Sequence, residues 1–221
     1  TLLHLTPRVA IVTNIERDHH HTFATDEELE ELFASWVRTQ RPEVLVAGPG
    51  PELDRLAEHA PGTVVRFGES ERELEAISAR LAVPGRHNAL NALGAIEALA
   101  ALGADRAAVL RALADFHGVG RRFEQLGEAR GVLVVDDYAH HPTEVAATVA
   151  AARERADARG GRVLVAFQPH LYSRTAALWS EFATALARAD RAWVLPIYGA
   201  REQPEPGVTE RLIADAVVEQ A

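Results

Sequence analysis

The sequence predicts an α/β layer fold organised around parallel β-structure. Three observations carry that expectation. Short runs rich in Val, Ile and Leu recur, each run stops at polar residues, and segments of helical period separate them. RVAIVTN (8–14) is the first run. Asp26 then predicts an N-cap for a helix over about 27–40, whose Leu29, Leu32, Phe33, Trp36 and Val37 share one face. EVLVAG (43–48) and TVVRFG (63–68) predict further strands, with PELDRLAEH (51–59) a helix between them. A helical pattern covers 88–102 and stops at Gly103, and a second runs from Asp105 to about Phe116. GVLVVDD (131–137) opens a new series: a strand, a helix over 142–158, the strand RVLVAFQ (162–168), a helix over 174–189, the strand AWVLP (192–196), and a helix from about 208. The Gly- and charge-rich GVGRRFEQLGEARG (118–131) reads as a loop between the two series, with a domain boundary near residue 126.

Composition narrows the classes of function. The chain has 221 residues, 48% apolar and 25% charged, which suits one large or two modest globular domains. No run approaches the roughly 18 apolar residues of a membrane span, and no signal segment opens the chain, so a cytoplasmic setting is expected. Cysteine is absent, which removes disulfides, thiolate metal sites and a cysteine nucleophile. The formal charge of −9 argues against a nucleic-acid surface. Lysine is absent too, so the chain holds neither the lysine of a phosphate-binding GxxxxGK[ST] loop nor a Schiff-base lysine.

The chemistry-bearing residues gather where predicted strands give way to helices. In VVDDYAHHPTEV (134–145), Pro142 suits the first turn of a helix, which puts two acids, a tyrosine and two histidines at a strand's C-terminal edge. Ligands bind along that edge in open α/β sheets. Helix capping accounts for one Asp and Thr143, but not for Tyr138, His140 and His141 as well. FQPHLYSRT (167–175) repeats the arrangement one strand later, and Arg174 suits a carboxylate held by two parallel N–H bonds. Taken alone, Arg174 reads as a surface ion pair; beside His170 and the first cluster it points to one polar pocket. VPGRHNALNALGA (83–95) sets Asn88 and Asn91 on one face at a helix start, where carboxamides match an adenine edge or simply cap the helix. NIERDHHHTF (14–23) offers an acid and three histidines, of which one or two suit a magnesium ion completed by phosphate. GRRFE (120–124) supplies guanidiniums for phosphate or ribose oxygens, or ordinary linker charge. No GxGxxG is completed.

Taken together and in this order, TPRVAIVTNIERDH, VPGRHNALNA, GVGRRFE, VDDYAHHPTEV, FQPHLYSRT and PIYGAREQPEPGVT resemble segments of the Mur ligases of peptidoglycan synthesis, over nearly the whole chain. FQPHLYSRT and DDYAHHPTE point within that family to the members that attach L-alanine to UDP-N-acetylmuramate. The resemblance implies a partial P-loop-type ATPase central domain over 1–125 and a Rossmann-like amino-acid domain over 126–221. It implies that the UDP-sugar domain, the P-loop and a C-terminal continuation lie outside this chain, which would then not act alone. ATP and Mg2+ are the implied cofactors, and an acyl phosphate is the implied intermediate.

Carried over by motif, His19 would bind the metal and Asn88 and Asn91 would address adenine. Arg122 and Asp137 would touch the phosphate or ribose of ATP. Tyr138, His140, His170 and Arg174 would hold L-alanine, with His140, His170 and Arg174 catalytic. Three departures stand out: Leu171 where many relatives have Arg, His21 where they often have an acid, and no lysine to be carbamylated. Two other classes fit parts of the pattern: a metal-dependent phosphoesterase of the Asp-His-His type, on Asp18, His19 and His20, and a non-catalytic nucleotide-binding module. Half an ATPase domain would also expose apolar surface, so residues 1–125 alone are expected to be poorly soluble.

Overall fold

The computed structural model describes residues 2–17, 23 and 25–220, which fall into two compact units that divide between His117 and Gly118. In the first unit, β1 (Val9–Val12), β2 (Val44–Ala47) and β3 (Thr63–Arg66) form a parallel sheet in that order, with Val9 opposite Val44 and Val44 opposite Thr63. Its helices are α1 (Asp26–Gln40), α2 (Pro51–Glu58), α3 (Glu71–Ser78), α4 (Arg86–Ala101) and α5 (Arg106–Ala112). The central strand explains the layering, because successive side chains of a strand point to opposite faces. Leu45 and Ala47 pack with Ala10 and Val12 against Val37 of α1 and Leu53 and Leu56 of α2. Val46 faces the other way, against Phe67, Leu74 and Ile77 of α3 and Ala89, Leu93 and Ile96 of α4. A strand buried on both faces reads as an unbroken apolar run, and VLVA is one.

Two local expectations are corrected here. The cap of α1 is Thr25, whose hydroxyl accepts the Glu28 N–H at 3.3 Å, while Asp26 is the first helical residue. Thr and Asp are comparable caps, so residue type alone does not choose between neighbours. Residues 71–78 form α3, an element outside the expected series; Ser70 caps it by accepting the Glu73 N–H.

The second unit contains β4 (Glu124–Ala129), β5 (Val132–Asp136), α6 (Pro142–Asp157), β6 (Leu164–Phe167), α7 (Tyr172–Leu186), β7 (Arg191–Val194) and α8 (Arg211–Gln220). β6 and β7 are parallel, with Leu164 opposite Arg191. Val165, Phe167, Ala192 and Val194 turn inward onto Val145 and Val149 of α6, Phe182 and Leu186 of α7, and Ile213 of α8. β4 corrects a third expectation, the loop over 118–131. It pairs antiparallel with β5 through the two-residue turn Arg130–Gly131, both at positive φ, and bulges between Gln125 and Gly127. All six residues of EQLGEA are exposed, so the strand carries no apolar alternation for a sequence reading to find.

Candidate functional site

The polar cluster of the second unit begins where β5 ends. The Asp137 carboxylate bridges two backbone segments: one oxygen accepts the Phe123 N–H at 2.8 Å, the other the Ala139 N–H at 2.7 Å. Beside it the Tyr138 N–H donates to the Arg121 carbonyl at 2.8 Å. These bonds hold the turn around 121–123, where Arg121 and Phe123 sit in the left-handed region. They present two guanidinium groups to the Tyr138 ring, Arg121 at 4.7 Å from its centroid and Arg122 at 5.9 Å. Cations over an aromatic face are attracted by its quadrupole, so Tyr138 is fixed from below its ring as well as through its backbone.

Glu144, in the first turn of α6, organises the next residues. It accepts the N–H groups of His140 at 2.9 Å and His141 at 3.2 Å, and the Arg122 guanidinium at 3.3 Å. Pro142 occupies the first helical position, where no N–H is needed. Burial acts to raise the Glu144 carboxyl. The His140 N–H, the His140 ring charge, the His141 N–H and Arg122 together outweigh it and hold the group below the ordinary carboxylate value.

The neighbouring residues come from the end of β6 and the start of α7. Arg174 is 3% exposed, in the first turn of α7, and its Nη1 lies 3.3 Å from both the carbonyl oxygen and Nδ1 of His170. A line of rings links the two strand ends: Tyr138 to His140 at 5.1 Å, His140 to His170 at 6.3 Å, and His170 to Tyr198 at 5.4 Å between centroids. The pocket residues expected from two separate motifs therefore lie side by side.

Hydrogen-bond chemistry separates the two imidazoles. His140 Nδ1 lies 2.8 Å from the Tyr138 carbonyl oxygen, which only accepts, so Nδ1 carries the hydrogen and Nε2 of the neutral ring holds a lone pair. His170 Nδ1 faces a guanidinium, which only donates, so there Nδ1 accepts and Nε2 carries the hydrogen.

The remaining expected residues fall elsewhere. Asn88 and Asn91 lie at the start of α4 in the first unit. The Asn88 amide donates to the Pro84 carbonyl at 2.6 Å, and Asn91 is exposed. His19 and the rest of the Asp-His-His-His run lie outside the described residues. Among the described residues, no group of three or more His, Asp or Glu side chains comes together to hold a metal ion. Sequence reasoning missed Glu144, Tyr198 and Glu202, whereas Arg121 belongs with Arg122 to the guanidiniums expected from GRRFE. The T-E after Pro142 was a legible signal for Glu144, because an acid at the third helical position closes a capping box.

Comparison with known proteins gives this arrangement its class. Residues 121–221 match the family model described as "Mur ligase, glutamate ligase domain". Along 98% of its length the chain is similar to proteins named UDP-N-acetylmuramate–L-alanine ligase. They include that of Mycolicibacterium smegmatis, 44% identical over 98% of this chain and 51% of the relative, and that of Kineococcus radiotolerans, 50% identical over 96% and 50%. The chain thus spans about half the length of the curated relatives it matches. Among solved structures, the UDP-N-acetylmuramate–alanine ligase of Thermotoga maritima superposes with a TM-score of 0.70 at 27% identity, covering 98% of this chain and 50% of that one. A Mycobacterium tuberculosis folylpolyglutamate synthase, at 21% identity and a TM-score of 0.74 over 99% of this chain and 52% of the other, shares the α/β fold.

Proposed function

We propose that this chain is part of an ATP-dependent UDP-N-acetylmuramate–L-alanine ligase of peptidoglycan precursor synthesis. The first compact unit, up to His117, is the second half of its P-loop-type central domain, and the second, from Gly118 rather than the expected 126, its Rossmann-like amino-acid domain. The observation that carries the reading is the gathering of Tyr138, His140, His170 and buried Arg174 at the ends of β5 and β6. The similarity to ligases of that name along almost the whole chain supports the same reading.

In this reaction the muramate carboxylate takes a phosphoryl group from ATP, giving ADP and an acyl phosphate. The alanine amine then attacks the acyl carbon, loses a proton, and phosphate departs. Arg174 holds the alanine carboxylate, since a guanidinium fork matches a carboxylate and this one is already fixed by its bond to His170. Nε2 of His140 takes the proton from the amine, because its lone pair points away from the Tyr138 carbonyl that the other nitrogen engages. His170 Nε2–H donates to an oxygen of the substrate or of the leaving phosphate. Asn88 and Asn91 address adenine, and Arg122 reaches the phosphates from its contact with Glu144. Asp137 acts by bracing the loop that carries Arg122 and Tyr138. Mg2+ would neutralise phosphate charge when bound, and His19 is its candidate ligand.

The test joins this chain to the remaining half of the Mycolicibacterium smegmatis relative and changes Arg174→Ala. The KM for L-alanine should rise roughly 100-fold or more, with little change for ATP, as expected on losing a charge-assisted bidentate contact. An unchanged alanine KM rejects the assignment. Phosphodiester hydrolysis by the 221-residue chain would instead support the Asp-His-His phosphoesterase alternative.

A further inference from the structure

The first turn of α7 carries Arg174 and follows directly on His170, yet it has no local cap. Its N-cap residue is Leu171, apolar and at φ 75°, and the side chain offers the helix no acceptor. The free N–H groups at a helix start require partners, and an anion there is favoured by the helix dipole. The acceptor comes from 29 residues further along the chain. Glu202 accepts the Ser173 N–H at 2.9 Å with one carboxylate oxygen and the Ser173 hydroxyl at 2.6 Å with the other.

The segment bearing Glu202 is laced to the strand end that bears His170. The Leu195 N–H donates to the Phe167 carbonyl, the Tyr198 N–H to that of Pro169, and the Leu171 N–H to that of Tyr198, at 2.8, 2.8 and 2.9 Å. Tyr198 also stacks at a tilt on the His170 ring. A turn closed by the Glu202 N–H on the Gly199 carbonyl then aims the carboxylate at Ser173. Glycine at 199 lets the turn approach the helix closely, since a Cβ there would stand 2.7 Å from the Tyr172 ring, which would have to shift. Two consequences follow. The helix start is held at both Leu171 and Ser173, the residues flanking Tyr172. The carboxylate also satisfies the Ser173 N–H, one of the amides that the helix start leaves without an intrahelical acceptor.

We propose that Glu202 is a positioning residue that fixes His170 and Arg174 by capping α7 from the loop after β7. Its effect on L-alanine rests on the ligase reading above; its effect on His170 does not. The experiment uses the 221-residue chain labelled with nitrogen-15, at mildly alkaline pH where imidazoles are neutral. In the wild-type protein the ring spectrum should give His170 a hydrogen-free Nδ1 and a protonated Nε2, and His140 the reverse. Glu202→Ala should average the two His170 nitrogens while leaving His140 as it was. Ser173→Ala, which keeps the N–H bond and loses the hydroxyl one, should give an intermediate result. Glu202→Gln and Ser173→Ala carry the comparison if Glu202→Ala does not fold. An unaltered His170 ring in these variants overturns the proposal, and so does equal averaging of His140 and His170, which marks general loosening. Titration with L-alanine should shift the His170 signals, with a Kd raised roughly tenfold in Glu202→Ala, the scale of one weakened polar contact. A wild-type chain blind to L-alanine counts against alanine capture by this half of the protein and leaves the positioning result standing.

Discussion

Glu144 shows how one side chain can hold several catalytic candidates in place. Its oxygens gather the N–H groups of His140 and His141 and the Arg122 guanidinium, so its loss would release the loop that presents His140. The folded-state carboxyl titrates below its unfolded value. Its stabilisation is therefore complete above the ordinary glutamate range and disappears as pH falls through the depressed value. Glu144→Gln should lower unfolding free energy by about 1 kcal/mol at neutral pH, the usual scale of a helix-cap loss. It should also shrink the further loss seen on acidification. Urea unfolding at neutral pH and near the glutamate range measures both, and an acid limb identical to the wild type would contradict the assignment. Asp137 illustrates the limit of residue-level reading. An acid at a strand end suggests nucleotide contact, whereas its two backbone acceptor bonds form only once the 121–123 turn folds beneath it.

Among the elements, those with a strong apolar period were legible and those without one were not. β2 and the helices around it follow from VLVA and the Leu53 and Leu56 spacing, because burial on two faces demands such runs. β4 has no buried residue, and its existence depends on pairing with β5. The start of α7 at Tyr172, two residues before the expected position, places Arg174 inside the first turn, and that placement rests on Glu202. Close packing at the end of β2 gives a prediction at this scale. A Cβ on Gly48 would lie 2.5 Å from the Thr13 carbonyl oxygen, backbone that cannot swing aside. Gly48→Ala should cost about 1–3 kcal/mol, the range of an overpacked core, although alanine is otherwise the better-ordered residue. Chemical denaturation checks this, and a neutral result would show that β1 and β2 separate freely at that end.

Across the whole molecule, charge and exposed apolar surface set the behaviour. A net charge of −9 disfavours polyanions, so mobility-shift assays with duplex DNA or RNA at moderate salt should show no complex. The first unit exposes Leu3, Leu5, Ile11, Leu99, Leu102 and Phe116. Expressed by itself, 1–125 should aggregate, whereas a soluble product that unfolds cooperatively would contradict that expectation. Acid should weaken the second unit at a further point, Asp190. It accepts the Val163 N–H and the Arg153 guanidinium, which hold it below the usual aspartate value, so this tie loosens as pH falls through that lowered value.

The sequence alone determined the α/β class, the two series of elements, the lack of a P-loop lysine, and the motifs whose order resembles the Mur ligases. Each of these depends on local period, residue type or order along the chain. Only the tertiary structure decided that Tyr138, His140, His170 and Arg174 adjoin, which nitrogen of each imidazole carries hydrogen, and that Asp137, Glu144 and Glu202 brace the loops behind them. Those properties are set by contacts between segments up to dozens of residues apart, and hydrogen-bond partners at such separations leave no period in the sequence.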